Sequence, residues 1–135
     1  MNGSWKCVLD AKGRVAVPAK LRIELGERFY VTKGTDNCIS VYSEDEWARL
    51  KEKAANMPAA KARVVKRMLF ANATLCEPDG QGRIIIPKEL REYAMLERDV
   101  SFVGVDDVAE IWNSERWDAF NAGMTAEDLA DALDC

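Results

Sequence analysis

No histidine occurs among the 135 residues. That excludes Ser-His-Asp and Cys-His catalysis and any His-containing zinc site. Cysteine is sparse and scattered: Cys7, Cys38, Cys76 and Cys135 form no Cys-x-x-Cys pair. A four-cysteine zinc site has no support in that spacing, and a disulfide framework does not suit the cytosol. The cysteines read instead as small buried hydrophobes plus a thiol on the tail. Long apolar runs are missing too. Ile84-Ile85-Ile86 is cut short by Pro87, against the ~20 residues of a membrane helix. The opening Met-Asn-Gly-Ser-Trp-Lys has no apolar stretch, so no secretory leader is expected and a cytoplasmic location is. Neither cofactor, metal nor small-molecule substrate is expected, and no catalytic residue is assigned.

What is present has the balance of a folded protein: 48% hydrophobic and 31% charged residues, in a length that suits one domain or two half-sized units. The net charge of −4 argues against a polyanionic partner only until its distribution is examined. From residue 106 onward there are nine acids and one base, Arg116, a net −8, which leaves +4 on the first 105 residues. Because fields act locally and screen over ~10 Å, a basic body with an acidic tail can still bind a polyanion.

The strongest feature is a repeat. Cys-Val-Leu-Asp-Ala-Lys-Gly-Arg-Val-Ala-Val-Pro-Ala-Lys-Leu-Arg begins at Cys7, and Cys-Glu-Pro-Asp-Gly-Gln-Gly-Arg-Ile-Ile-Ile-Pro-Lys-Glu-Leu-Arg begins at Cys76. Asp10, Gly13, Arg14, Pro18, Leu21 and Arg22 recur as Asp79, Gly82, Arg83, Pro87, Leu90 and Arg91. With one extra residue in the second copy, the match continues through Gly34/Gly104, Asp36/Asp106, Val41/Ile111, Tyr42/Trp112 and Trp47/Trp117. The chain is a tandem duplication.

Each copy predicts the same local structure. A short strand (5–9 and 74–77) meets Asp-x-x-Gly-Arg, whose Gly takes a positive φ in a bulged hairpin, and a β-branched run follows. Pro18 and Pro87 end that run and open short helices. Strands near 29–32 and 39–42, with counterparts at 100–103 and 109–112, come next. Ser43-Glu-Asp-Glu46 reads as a capping box, and 60–70 as a helix with Val64, Val65, Met68 and Leu69 on its apolar side. Thr125-Ala-Glu-Asp is positioned to cap a last acidic helix. The divisions are residues 5–47 and 74–119 for the two repeats, 48–73 for a helical connector and 120–135 for an acidic tail.

Strands this short cannot close a core within one copy, whereas two copies can by interleaving into one small pseudo-twofold barrel. The expected class is mainly β with short helices (α+β). Both Asp-x-x-x-Arg turns then share a face. Cross-strand charge pairing explains an Asp and an Arg beside a turn. A guanidinium held by a carboxylate is also pre-oriented, with spare N–H groups to fork onto phosphate or a guanine edge.

These paired segments resemble the two SpoVT-AbrB domains of the MraZ family, over roughly residues 3 to 119. The resemblance implies a double-split β-barrel and a cytoplasmic, nucleoid-associated regulator. It also implies a ring-like homo-oligomer that binds direct repeats in double-stranded promoter DNA upstream of its own cell-division and cell-wall operon. Carried over by motif, Arg14 and Arg83 contact DNA, with Lys12 at the first loop tip, while Asp10, Gly13, Asp79 and Gly82 support the turns. Gln81 replaces Lys12 in the second copy, so the two turns need not contribute equally. An AbrB-like antitoxin with a toxin-binding tail and an oligomeric scaffold that binds no DNA are the alternatives. An enzyme using Asp10 and Asp79 as a carboxylate pair is disfavoured, because each has its own Arg partner.

Overall fold

The computed structural model describes residues 1–134; Cys135, the expected tail thiol, lies outside them. β-Branched and aromatic residues supply the strands of the first repeat, β1 (Ser4–Val8), β2 (Arg14–Ala16), β3 (Phe29–Lys33) and β4 (Ile39–Ser43). Their counterparts are β5 (Thr74–Cys76), β6 (Arg83–Ile85), β7 (Asp99–Val105) and β8 (Val108–Asn113). Pro18 and Pro87 stand directly before α1 (Ala19–Leu25) and α4 (Lys88–Tyr93), where a fixed φ and a missing amide favour a helix start and stop a ladder.

The strands exchange between repeats. The larger sheet has six strands in the order β1-β7-β8-β4-β3-β5, and the smaller is the two-stranded ribbon β2-β6. A hairpin of β1 with β2 is therefore not what forms: beyond the turn, β1 pairs with β7 and β2 with β6. The double-split barrel takes the form of two sheets, neither closed on itself, around one core. Val15, Val17, Ile84 and Ile86 of the ribbon are buried with Phe29, Val31, Val100 and Phe102 of the large sheet. Burying each such side chain contributes about 1.5–3 kcal/mol. Neither repeat has this core without the other.

Pairing register defines the symmetry. In the ribbon, Val15 faces Ile84, flanked by Arg14–Ile85 and Ala16–Arg83, which exchange under a twofold rotation. In the large sheet Ser40 faces Glu110, flanked by Ile39–Ile111 and Val41–Ala109. The pseudo-axis passes through both central pairs. One sequence equivalence needs correction. Cys7 pairs with Val100 whereas Cys76 pairs with Phe29, so Phe29 matches Val100 and the alignment is offset by one in β3 and β7. Gly34 thus closes a five-residue turn by donating its amide to the Cys38 carbonyl (2.8 Å), while Gly104 lies within β7 opposite Ala109. The longer first turn is clasped by the second repeat. Tyr93 donates its hydroxyl to the Gly34 carbonyl (2.6 Å), and Arg116 donates to the carbonyls of Asp36 and Asn37 (both 2.8 Å).

Helices close each repeat. α2 (Glu44–Ala55) begins at Ser43, whose Oγ accepts the Glu46 amide (3.2 Å). The reciprocal half of the expected capping box is absent, because the Glu46 carboxylate pairs with Arg49. Trp47 stacks on Tyr30 at 4.4 Å and meets Phe70 edge-on at 5.1 Å. α3 (Ala59–Val65) runs into a π turn at Lys66–Phe70, and Thr32 donates to the Leu69 carbonyl there. Of the four residues expected on the apolar side, Val65 and Leu69 are half-buried, while Val64 and Met68 are exposed. In the second repeat Trp117 of α5 (Ser114–Ala122) packs on Trp112. The chain then turns into α6 (Ala126–Leu133), with a complete Thr125/Asp128 capping box.

Candidate nucleic-acid interface

Each Asp-x-x-Gly-Arg turn is built by its carboxylate. The Asp10 carbonyl accepts the Gly13 amide (3.0 Å), and the Asp10 amide donates to the Arg14 carbonyl (2.9 Å). With its carbonyl already engaged, Asp10 completes the rung through its side chain: Oδ1 accepts the amides of Lys12 and Arg14, both at 2.9 Å. Oδ2 accepts Arg14 Nε at 2.8 Å. The second turn repeats every bond. Asp79 Oδ1 takes the amides of Gln81 (2.9 Å) and Arg83 (3.0 Å), and Oδ2 takes Arg83 Nε (3.0 Å). The Arg14 backbone amide, then its guanidinium, holds the Asp10 carboxyl below the usual range. For Asp79 the amides of Arg83 and Gln81 act first. Two carboxylates so engaged are not a general acid–base pair.

The glycines are required for two reasons. Gly13 and Gly82 have φ of 81° and 75°, in the left-handed region. A Cβ on Gly13 would also lie 2.9 Å from the Arg91 guanidinium carbon, and one on Gly82 would lie 2.7 Å from that of Arg22. Arg22 and Arg91 thus cover the turn of the opposite repeat. Arg22 Nε donates to the Val17 carbonyl (3.1 Å). Their role was not read from the sequence, although the repeated Leu-Arg after each proline was its signal. The ribbon is extended at both ends by the turns themselves: the Val17 amide donates to the Gly82 carbonyl and the Ile86 amide to the Gly13 carbonyl, each at 2.8 Å. Each turn is thereby pinned by the other repeat.

The result is a two-stranded antiparallel ribbon with one face buried and one outward. The outward residues are Arg14, Ala16, Arg83 and Ile85, with Ile85 strongly exposed. Arg14 and Arg83 are brought to this single face, each side chain 34% exposed and tied to its own carboxylate through Nε. Those bonds leave the terminal Nη groups uncommitted to the carboxylate. Lys12 is exposed at the first loop tip and Gln81 at the second. A ribbon of this width fits the major groove of B-form DNA, where arginine Nη groups fork onto guanine O6 and N7.

Three thiols lie within the described residues. Burial raises the Cys38 thiol to about 12 and the Cys76 thiol to about 11, and burial also raises that of Cys7. All three are free, and the described residues contain no cluster of potential metal ligands. No described helix is long and apolar enough to cross a membrane.

Comparison with known proteins gives a consistent match. The family model described as "MraZ protein, putative antitoxin-like" matches twice, over residues 1–68 and 69–134. A "Transcriptional regulator MraZ" of Caldanaerobacter subterraneus is 47% identical over 138 aligned positions, covering 99% of this chain and 96% of that protein. One from Desulforamulus reducens is 47% identical, covering 97% and 95%. One from Alkaliphilus metalliredigens is 43% identical, covering 98% and 95%. The double match follows the duplication and reaches into the acidic tail.

Proposed function

The chain belongs to the MraZ family, and on that premise we propose that it is a sequence-specific DNA-binding regulator of transcription, not an enzyme. The observation that carries this reading is the pairing of Arg14 and Arg83 on one outward ribbon face, each aimed by an aspartate. A cation held by its neighbour reaches a base edge with less ordering cost than a free one, and each bidentate contact adds ~1–3 kcal/mol of discrimination. Lys12 adds a phosphate contact at one end of the ribbon.

One ribbon offers too few contacts for tight specific binding. The proposed active form is therefore a ring-like homo-oligomer, in which a second ribbon engages at high effective concentration. Equivalent subunits of a ring meet DNA head-to-tail, so the operator consists of direct repeats. Their centres lie about one helical turn (~10.5 bp) or a multiple apart. The operator is placed upstream of the protein's own cell-division and cell-wall operon, and the protein in the cytoplasm on the nucleoid.

A footprint on DNA upstream of the gene tests the whole reading. Protected direct repeats are expected, weakened by Arg14→Ala and lost with Arg14→Ala plus Arg83→Ala in a correctly assembled protein. Undiminished protection by the double variant would refute the role of the ribbon. The antitoxin-like description of the family and the exposed α6 keep one second reading, an antitoxin with a tail for its toxin. A toxin gene beside this one, whose product co-purifies through the tail, would favour it.

A further inference from the structure

Two surfaces outside the ribbon are unexplained by DNA binding, and each lacks what the other has. The first is α6. Ala126, Leu129, Ala130 and Leu133 recur at helical spacing along one side, with Leu129 61% and Leu133 76% exposed. No residue of this helix is buried against the rest of its own chain. Its remaining side carries Glu127, Asp128 and Asp131, with Asp134 at its end and no base. The second is α3 with its π turn. Lys61, Arg63, Lys66 and Arg67 are exposed, and none is in an ion pair among the described residues. Between them the apolar Val64 and Met68, four apart, are 61% and 42% exposed.

We propose that α6 of one chain docks on α3 and the π turn of a second copy, Leu129 and Leu133 against Val64 and Met68, with the acids of the tail facing the bases of the connector. Both surfaces are helical and apolar at their centres, and they are of opposite charge at their flanks. Such complementarity selects a partner and its orientation. The same complementarity disfavours pairing of two tails or two connectors, since like charges would meet. Each chain carries one surface of each kind, so the contact is heterologous and propagates head-to-tail, closing into a ring where the rotation permits. The connector is thereby a protein contact rather than a phosphate contact. The proposal rests on the reading of the protein as a homo-oligomer and names the surfaces that build it.

Sedimentation of the full chain tests it, with thermal unfolding of each variant confirming the fold, since every substituted residue is exposed. Leu129→Asp with Leu133→Asp should lower the self-association constant about a hundredfold or more. Reversal of the connector through Lys61→Glu, Arg63→Glu and Lys66→Glu should also dissociate the assembly. Adding Glu127→Lys and Asp134→Lys to that reversed connector should restore association. Assembly of either first variant as tight as wild type, or no recovery in the combined variant, would overturn the docking while leaving the oligomer itself in place. A connector variant that assembles normally yet loses affinity for DNA would overturn it in favour of a phosphate contact. A wild-type chain that sediments as a monomer would instead refute the oligomeric reading.

Discussion

The turns at Asp10–Arg14 and Asp79–Arg83 are chemically the same device in different surroundings. Their five main- and side-chain bonds agree within 0.2 Å. Around them little is shared. The first has Lys12 at its tip and follows the exposed Val8; the second has Gln81 and follows Glu77. The covering arginines differ too. Arg22 bonds the Val17 carbonyl, while Arg91 Nε is buried without a hydrogen-bond partner among the described residues. The turn framework therefore depends on carboxylate, glycine and the opposite repeat, and the tip is free to set local charge. Two loops can hold identical arginines and still differ in their pull on phosphate.

The largest test removes what the turns share. Arg14→Ala with Arg83→Ala should abolish specific retardation of operator DNA. The single variants should each lose about 5- to 150-fold, from ~1–3 kcal/mol per bidentate contact. Arg14→Ala should be the more damaging of the two, because its loop also carries Lys12. Equal losses would show that the tips do not matter.

Stability is the next measure. Gly13→Ala and Gly82→Ala each force a Cβ into the left-handed region, which costs about 1–2 kcal/mol before the covering arginine is displaced. Thermal unfolding should shift down for both variants, and more for Gly82→Ala, which also displaces the hydrogen-bonded Arg22. Exchanging the tips is gentler. Lys12→Gln should reduce the salt slope of binding by about one phosphate contact per ribbon, and Gln81→Lys should increase it by a similar step.

The acid response should be alike in the two turns. Both carboxyls are depressed in the folded chain, so their contribution is complete above the unfolded value near ~3.9 and is lost as pH falls through the folded values. Asn at positions 10 and 79 should therefore narrow its stability deficit relative to wild type only below about pH 4. A deficit constant down to strong acid would remove the carboxylates from the account. The smallest difference concerns Cys7 and Cys76, equivalent by sequence but half-buried and buried. Peptide mapping after brief exposure to a thiol reagent should find Cys7 modified first.

Much of this was legible because it is local. Asp10 reaches residues 12 and 14 along its own chain, and a glycine after it reports a positive φ whatever the chain does next. Duplication of the segment gave the pseudo-symmetry before any coordinate. The Ser43 box was half right, because Arg49, one turn further on, competes for the Glu46 carboxylate. The apolar stripe of 60–70 was also half right. The covered side is centred on Ala62, Val65 and Leu69, at ordinary helical spacing, and Val64 and Met68 lie beside it, exposed.

By itself, then, the sequence determined two repeats, their turns, the proline-started helices and the arginines placed beside aspartates. Each of those is written in residues a few positions apart. Only the tertiary structure decided that β2 pairs with β6 rather than β1, and that Arg22 and Arg91 guard the opposite turn. It alone decided that Tyr93 and Arg116 clasp the turn after β3, whereas the shared face of Arg14 and Arg83 was already expected from the pseudo-twofold. The physical reason is that a three-residue strand carries almost no information about its partner. Pairing is chosen by which arrangement buries Val15, Val17, Ile84 and Ile86 together, and that choice exists only when both repeats are folded around one core.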